Sequence, residues 1–307
     1  MILSVFLLIV SLFLVIKSAQ YAIRYSTRLA ESFHIPKYII GFLIIAVISI
    51  LPETFIGITS AIEGVPAFGL GTLFGSNVAD LTLVFAIVIF LSRRNLTVES
   101  KLIKNSWLHI GIICLPILLG LNGYYSRLDG IVLVVIGVAF YYILLKKNAY
   151  VVFIEKQQVR LTDFLFLFMS MGVLLFAAHM TVTHAVHFAE IIHVPALFIG
   201  MFLVGLGTVL PELIVSLEAA KKRQDSIALG DILGTVIADA TIVVGIMALV
   251  RPFAFPPRIV FITGVCMILA MVVLFYCMKS GKVITKKEAC LLLLFYVCFV
   301  FAEVMVN

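Results

Sequence analysis

Charge is what this sequence has least of. Only 12% of its 307 residues are Asp, Glu, Lys or Arg, while 63% are hydrophobic and the mean hydropathy is +1.22. A soluble domain is about a quarter charged, so the chain reads as an integral membrane protein. Other absences narrow the class. No ATP-binding motif is present, so nothing points to a pump. No small-residue cleavage site follows the apolar run at 1–16, and Lys17 comes after that run instead of before it. The run therefore reads as a first spanning helix and not as a signal peptide. The short alternating segments of a membrane β-barrel are missing. Cys114, Cys266, Cys277, Cys290 and Cys298 are odd in number, have no metal-ligand spacing and lie in or beside apolar runs. They read as small membrane hydrophobes. The net charge of +6 has the distribution of topology signals, not of a nucleic-acid surface.

What is present is a succession of long apolar runs, which must span as helices because lipid satisfies no backbone polar group. They predict ten spans, at about 2–29, 35–63, 67–91, 102–122, 126–146, 161–190, 195–220, 226–249, 256–279 and 286–305. The links are short, so the expectation is an all-α, compact membrane domain. Basic residues cluster in alternate links, as at Arg93, Arg94, Lys101 and Lys104 or at Lys221, Lys222 and Arg223, while the other links carry only Arg127, Arg251 and Arg258. Positive charge stays inside, so both termini are expected outside the cytoplasm of a plasma-membrane protein.

The chain also matches itself, without a gap, at one constant offset. Ala30-Glu31 falls on Ala189-Glu190, His34-Ile35-Pro36 on His193-Val194-Pro195, Leu51-Pro52-Glu53 on Leu210-Pro211-Glu212, and Ala79-Asp80 on Ala238-Asp239. The copies lie five helices apart, an odd number, so they face opposite ways. The expectation is two inverted-topology five-helix repeats, 1–150 and 151–307. Inverted repeats with interrupted helices and midplane carboxylates are the pattern of secondary transporters.

Each repeat places acids where they are costly. Ser49 precedes Glu53 by four residues, and Thr208 precedes Glu212 by four. Ser76 likewise precedes Asp80, and Thr235 precedes Asp239. A spacing of four puts hydroxyl and carboxylate on one helix face. Pro52 and Pro211 break the helix and free backbone carbonyls in the turn before. The result is a set of oxygens without His or Cys, suited to calcium, magnesium, manganese or sodium and not to zinc or copper. Four carboxylates cannot all stay ionised in a dry site without cations or protons. Weaker candidates are Glu63 and Glu218 at helix ends, and His184 and His187 with metal-like spacing. Asp231, beside Gly230, partly matches an intramembrane aspartyl-protease signature, but the leading glycine is Ala228 and no Tyr-Asp partner motif exists.

These motifs resemble the calcium/cation antiporter superfamily, especially the prokaryotic sodium/calcium exchangers. That family carries Gly-Thr-Ser-Leu-Pro-Glu in each repeat, followed by Gly-Ser-Asn-x-x-Asn/Asp. This chain has Gly207-Thr208-Val209-Leu210-Pro211-Glu212 with Gly234-Thr235-Val236-Ile237-Ala238-Asp239, and Ile48-Ser49-Ile50-Leu51-Pro52-Glu53 with Gly75-Ser76-Asn77-Val78-Ala79-Asp80. The resemblance implies calcium bound by Glu53, Glu212, Ser49 and Thr208. It implies monovalent-cation or proton positions at Asp80, Asp239, Ser76 and Thr235. It also implies alternating access by sliding of the first and sixth helices. No cofactor and no obligate protein partner are expected, only the lipid bilayer and transported inorganic cations. Ile50 and Val209 stand where the family has a sodium-binding serine, Ile48 replaces a glycine, and Asp80 stands where asparagine is usual. Fewer neutral oxygens and one more acid turn the balance towards protons. The first reading is thus calcium/sodium exchange, the second calcium/proton exchange, and the distant one an intramembrane carboxylate-dependent enzyme.

Overall fold

The computed structural model describes residues 2–32, 50–99, 103, 106–147 and 161–306. Its helices are α1 (Ile2–Ser32), α2 (Leu51–Ile62), α3 (Pro66–Ser92), α4 (Ser106–Leu119), α5 (Arg127–Lys147), α6 (Leu161–Ile191) and α7 (Ala196–Lys221). There follow α8, which runs through Asp225–Ala238, Asp239–Val243 and Val244–Val250, then α9 (Ile259–Lys279) and α10 (Lys286–Met305). Among the described residues seven helices are long and apolar enough to cross a membrane. Ser49 and the first half of the second predicted span lie outside the described residues.

Local chemistry sets the breaks. Proline occupies the first turn of α2, of α3 and of the second part of α7, where its missing N–H costs nothing. Helix α7 bends at Val209, and Ile50, its counterpart in the repeat, occupies the same place before α2. Helices α3 and α8 each contain one π turn, Asp80–Val84 and Asp239–Val243. In both, a threonine hydroxyl donates to the carbonyl four residues back, Thr82 to Val78 at 2.5 Å and Thr241 to Ile237 at 2.6 Å. Side-chain bonds of this kind compete with the regular ladder, and π turns concentrate at functional positions.

Two short sheets tie the links together. Strand β1 (Leu96–Thr97) pairs antiparallel with β4 (Val283–Ile284), and β2 (Tyr124–Tyr125) with β3 (Phe253–Ala254). Two arginines reinforce them. Arg94 donates through Nε to the Ala220 carbonyl at 2.8 Å, at the end of α7. Arg251 donates to the Ile62 carbonyl at 2.7 Å, at the end of α2. Each guanidinium therefore closes the last turn of a Pro-Glu helix from the opposite half of the sequence, as suits a cation at a helix C-terminus.

Arg94 also binds the buried Asp225, which accepts from the Thr97 N–H and hydroxyl at 2.8 and 2.7 Å. Burial raises the Asp225 carboxyl, but the bonds from Arg94 and Thr97 outweigh it and hold the group below the ordinary 3.8. A carboxyl held low contributes its stability above the unfolded value and loses it as pH falls through the folded one. Arg94→Ala is expected to cost about 3 kcal/mol at pH 7, because it strands a buried charge. Thermal unfolding in detergent should show that loss, and the gap to wild type should narrow at pH values below 3.8, leaving the part that comes from the lost bond to the Ala220 carbonyl.

The buried apolar residues fall into two clusters that share helices α2, α3 and α7. Helices α3 and α8 are the innermost, with 83% of their apolar windows buried, and they carry a core that includes Phe74, Phe85, Leu233 and Met247. Helices α1 and α6 pack on each other through Leu8, Val15, Ala19, Leu174, Ala178 and Ala185, in a second cluster with the start of α2 and α3. Small residues at such a seam let helices approach closely in lipid. Phe6, Phe13, Phe168 and Phe176 remain exposed on these two helices, as lipid-facing side chains do.

Candidate cation site

The Pro-Glu breaks place Glu53 at the head of α2 and Glu212 at the head of the second part of α7. Both are buried, each with 1% of its surface exposed. The Glu53 carboxylate has a cross-half contact with the Thr208 hydroxyl. That hydroxyl also lies 3.0 Å from the Gly205 carbonyl. With its proton directed to that carbonyl, the hydroxyl oxygen keeps its lone pairs. Glu53 Oε2 and both oxygens of Glu212 have no hydrogen-bond partner among the described residues. Leaving such oxygens ionised, dry and unpaired is costly, so these carboxyls need a cation or a proton.

Asp80 and Asp239 are equally buried and open the two π turns. One oxygen of Asp80 and both of Asp239 are unpartnered among the described residues. Glu53 interacts electrostatically with Asp80, Asp239 and Glu212, so the four acids share one buried electrostatic neighbourhood. Ser76 is buried and donates to the Leu73 carbonyl at 2.9 Å, and Thr235 is buried on the same helix as Asp239. Ser49 lies outside the described residues.

Glycines let the halves meet. A Cβ on Gly75 would lie 2.8 Å from the Met201 carbonyl oxygen, and one on Gly200 would lie 2.6 Å from the Phe68 carbonyl oxygen. Helix α3 thus packs backbone to backbone on the first part of α7, which brings Ser76 alongside Gly205 and so towards Thr208. Tyr141 of α5 donates to the Gly234 carbonyl at 2.6 Å and fixes α8 from the other side.

No three His, Cys, Asp or Glu side chains among the described residues form a ready metal cage. Two carboxylates completed by hydroxyl and carbonyl oxygens still suit a hard cation, which takes six to eight oxygen ligands. Of the weaker candidates, Glu63 pairs with His179 at 2.5 Å, and His187 with Glu190 at 3.7 Å. Glu218 sits 4.0 Å from Lys222 on an exposed surface. Asp231 and Ser216 were not placed in the site by sequence reasoning, yet both are buried with unpartnered oxygens, and Asp231 interacts with Glu212 and Asp80. Their signal was available: each lies four residues from a site residue, on the same helix face.

A helical membrane protein with a buried, oxygen-only cluster shared by two repeated motifs belongs to the class of cation transporters. The profile of the sodium/calcium exchanger protein family matches residues 3–146 and again 162–305, and the chain belongs to that family. Among its relatives, the inner membrane protein YrbG of Escherichia coli is 27% identical, with 84% of this chain and 83% of YrbG covered. The sodium/calcium exchanger MaX1 of Methanosarcina acetivorans is 23% identical, with 95% and 96% covered. Among solved structures, the sodium-calcium exchanger NCX_Mj superposes with a TM-score of 0.69 at 24% identity, covering 97% of this chain and 98% of that one, so the two share a fold. The protein is a transporter and not an enzyme, which removes the protease reading of Asp231.

Proposed function

We propose that the protein is a secondary-active antiporter that exchanges calcium for sodium across the plasma membrane. The observation that carries this reading is the pair Glu53 and Glu212. They lie on equivalent helix breaks of the two halves, are buried, and turn unpartnered oxygens into one cluster. A divalent cation between them, with Thr208 and Ser49, replaces the missing partners. Asp80, Asp239, Ser76 and Thr235 hold the exchanging monovalent ion. The ten spans form two inverted five-helix halves, 1–150 and 151–307, with both termini outside the cytoplasm. Helices α1 and α6 move as one body against the rest. Their alanine-rich seam with each other supports this. So does their length of 31 residues each, about 46 Å at 1.5 Å per residue, well beyond the hydrocarbon thickness.

A second reading, proton coupling, has its own support. Ile50 and Val209 are buried at the two breaks, 5% and 4% exposed, so each sodium position lacks a hydroxyl on the same side of the break. Asp80 adds an acid that accepts a proton without a coordination cage. Calcium-45 uptake into proteoliposomes under a sodium gradient alone, and under a pH gradient alone, separates the two. Sodium coupling requires uptake with the first gradient and none with the second. The reverse establishes proton coupling, and uptake with neither rejects both.

A further inference from the structure

The two halves differ in polarity at a pair of positions one turn from the site. In the second half these are Ser216 on α7 and Asp231 on α8, and their counterparts in the first half, by the offset that carries Glu53 onto Glu212, are Gly57 and Thr72. Ser216 follows Glu212 by four residues, and Asp231 precedes Thr235 by four, so each stands one helical turn, about 6 Å, from a site residue. The turn between Lys221 and Asp225 makes α7 and α8 an antiparallel hairpin. Ser216 lies five residues before the end of one arm and Asp231 six after the start of the other, at the same depth. Ser216 is fully buried and Asp231 is 9% exposed. The Ser216 hydroxyl and both Asp231 carboxylate oxygens have no hydrogen-bond partner among the described residues. The Asp231 charge is felt by Glu212, Asp80 and Tyr141, one each from α7, α3 and α5.

The corresponding place in the first half is closed to ions. The Thr72 hydroxyl donates to the Phe68 carbonyl at 2.9 Å. The space at Gly57 is filled by Met247, whose sulfur would lie 2.8 Å from an added Cβ. An unpaired acid and hydroxyl on one side therefore face a neutral, thioether-plugged counterpart on the other.

From this asymmetry we infer that Asp231 and Ser216 form a waiting position for the transported divalent cation, between the central site and the α7–α8 turn. The inference rests on the exchanger reading above and on the orientation that puts Lys221, Lys222 and Arg223 in the cytoplasm. An ion entering from that side meets Asp231 first and is then shared with Glu212, which lies one turn deeper. Among the described residues the outer route has no such position at Gly57 and Thr72. The asymmetry makes cytoplasmic capture of a dilute cation more effective than capture from outside.

The test is calcium-45 uptake by wild type and by Asp231→Asn in two preparations. Everted vesicles present the cytoplasmic face, and right-side-out vesicles present the external one. Asp231→Asn is expected to raise half-saturating calcium about tenfold in everted vesicles and to leave it within about twofold in right-side-out vesicles, by the loss of one buried charge–ion contact. Ser216→Ala should shift the same face in the same direction by a smaller factor, and it serves if Asp231→Asn does not reach the membrane. An equal shift on both faces, a shift on the external face alone, or no shift overturns the proposal. Absence of calcium uptake by wild-type vesicles of either orientation overturns the exchanger reading instead.

Discussion

Glu53→Gln is expected to abolish calcium exchange, and Glu212→Gln to do the same. Each glutamate is buried on the interrupted helix of its own half, and its carboxylate is without a full set of partners. Glutamine keeps the volume and removes the charge. Stranding one side of a buried charge pair costs about 3–5 kcal/mol, which is roughly two to four orders of magnitude in binding. Because the pair is related by the repeat, the two variants should fail alike, and the double variant should be no worse than either. Thr208→Ala removes only a neutral ligand, worth about 1 kcal/mol, and should weaken calcium by roughly tenfold or less. Calcium-45 flux in proteoliposomes measures all four. Normal flux in either glutamine variant removes that glutamate from the site.

Gly75→Val should be nearly as damaging without touching a ligand. Even the first carbon of the side chain would collide with Met201 Cγ and lie 2.8 Å from the Met201 carbonyl oxygen. The methionine chain can move, but the backbone oxygen belongs to α7 and cannot move alone. Helix α3 must then separate from the first part of α7, which carries Ser76 away from Thr208. Overpacking of this kind costs about 1–3 kcal/mol or more, and small displacements at a binding site cost further affinity. The expected result is loss of flux with a lower unfolding temperature, while Gly111→Ala, with open space around it, leaves both unchanged. Gly75→Ala should lie between.

The large features were written in the sequence because they repeat. A Pro-Glu pair in an apolar run is conspicuous, and its recurrence at Pro211-Glu212 identifies both halves of the cluster together. The described structure carries the same offset into the backbone, in the π turns at Asp80 and Asp239 and in the breaks at Ile50 and Val209. Other features were illegible for definite reasons. Nothing in residue type alone distinguishes a π turn from the α-helix around it, since Thr82 and Thr241 bond backwards only once the helix has formed. The arginine latches were hidden by a change of offset: Arg94 matches Arg251, and Leu96 matches Phe253, at a spacing two positions shorter than the one that carries Pro52 onto Pro211. By sequence both arginines resemble topology charges. Asp231 was left out of the site for the opposite reason: the repeat marks positions where the halves agree, and Asp231 stands at one where they differ.

In the exchanger proposed above, one divalent cation is held between the two halves by Glu53 and Glu212. Strontium is a calcium-like cation with a usable anomalous signal, so crystals of the wild-type protein soaked in strontium test it most directly. The expected result is an anomalous peak within about 2.3–2.6 Å of oxygens from both glutamates, lost in Glu53→Gln. A peak bound by neither glutamate, or a peak unchanged in that variant, would contradict it.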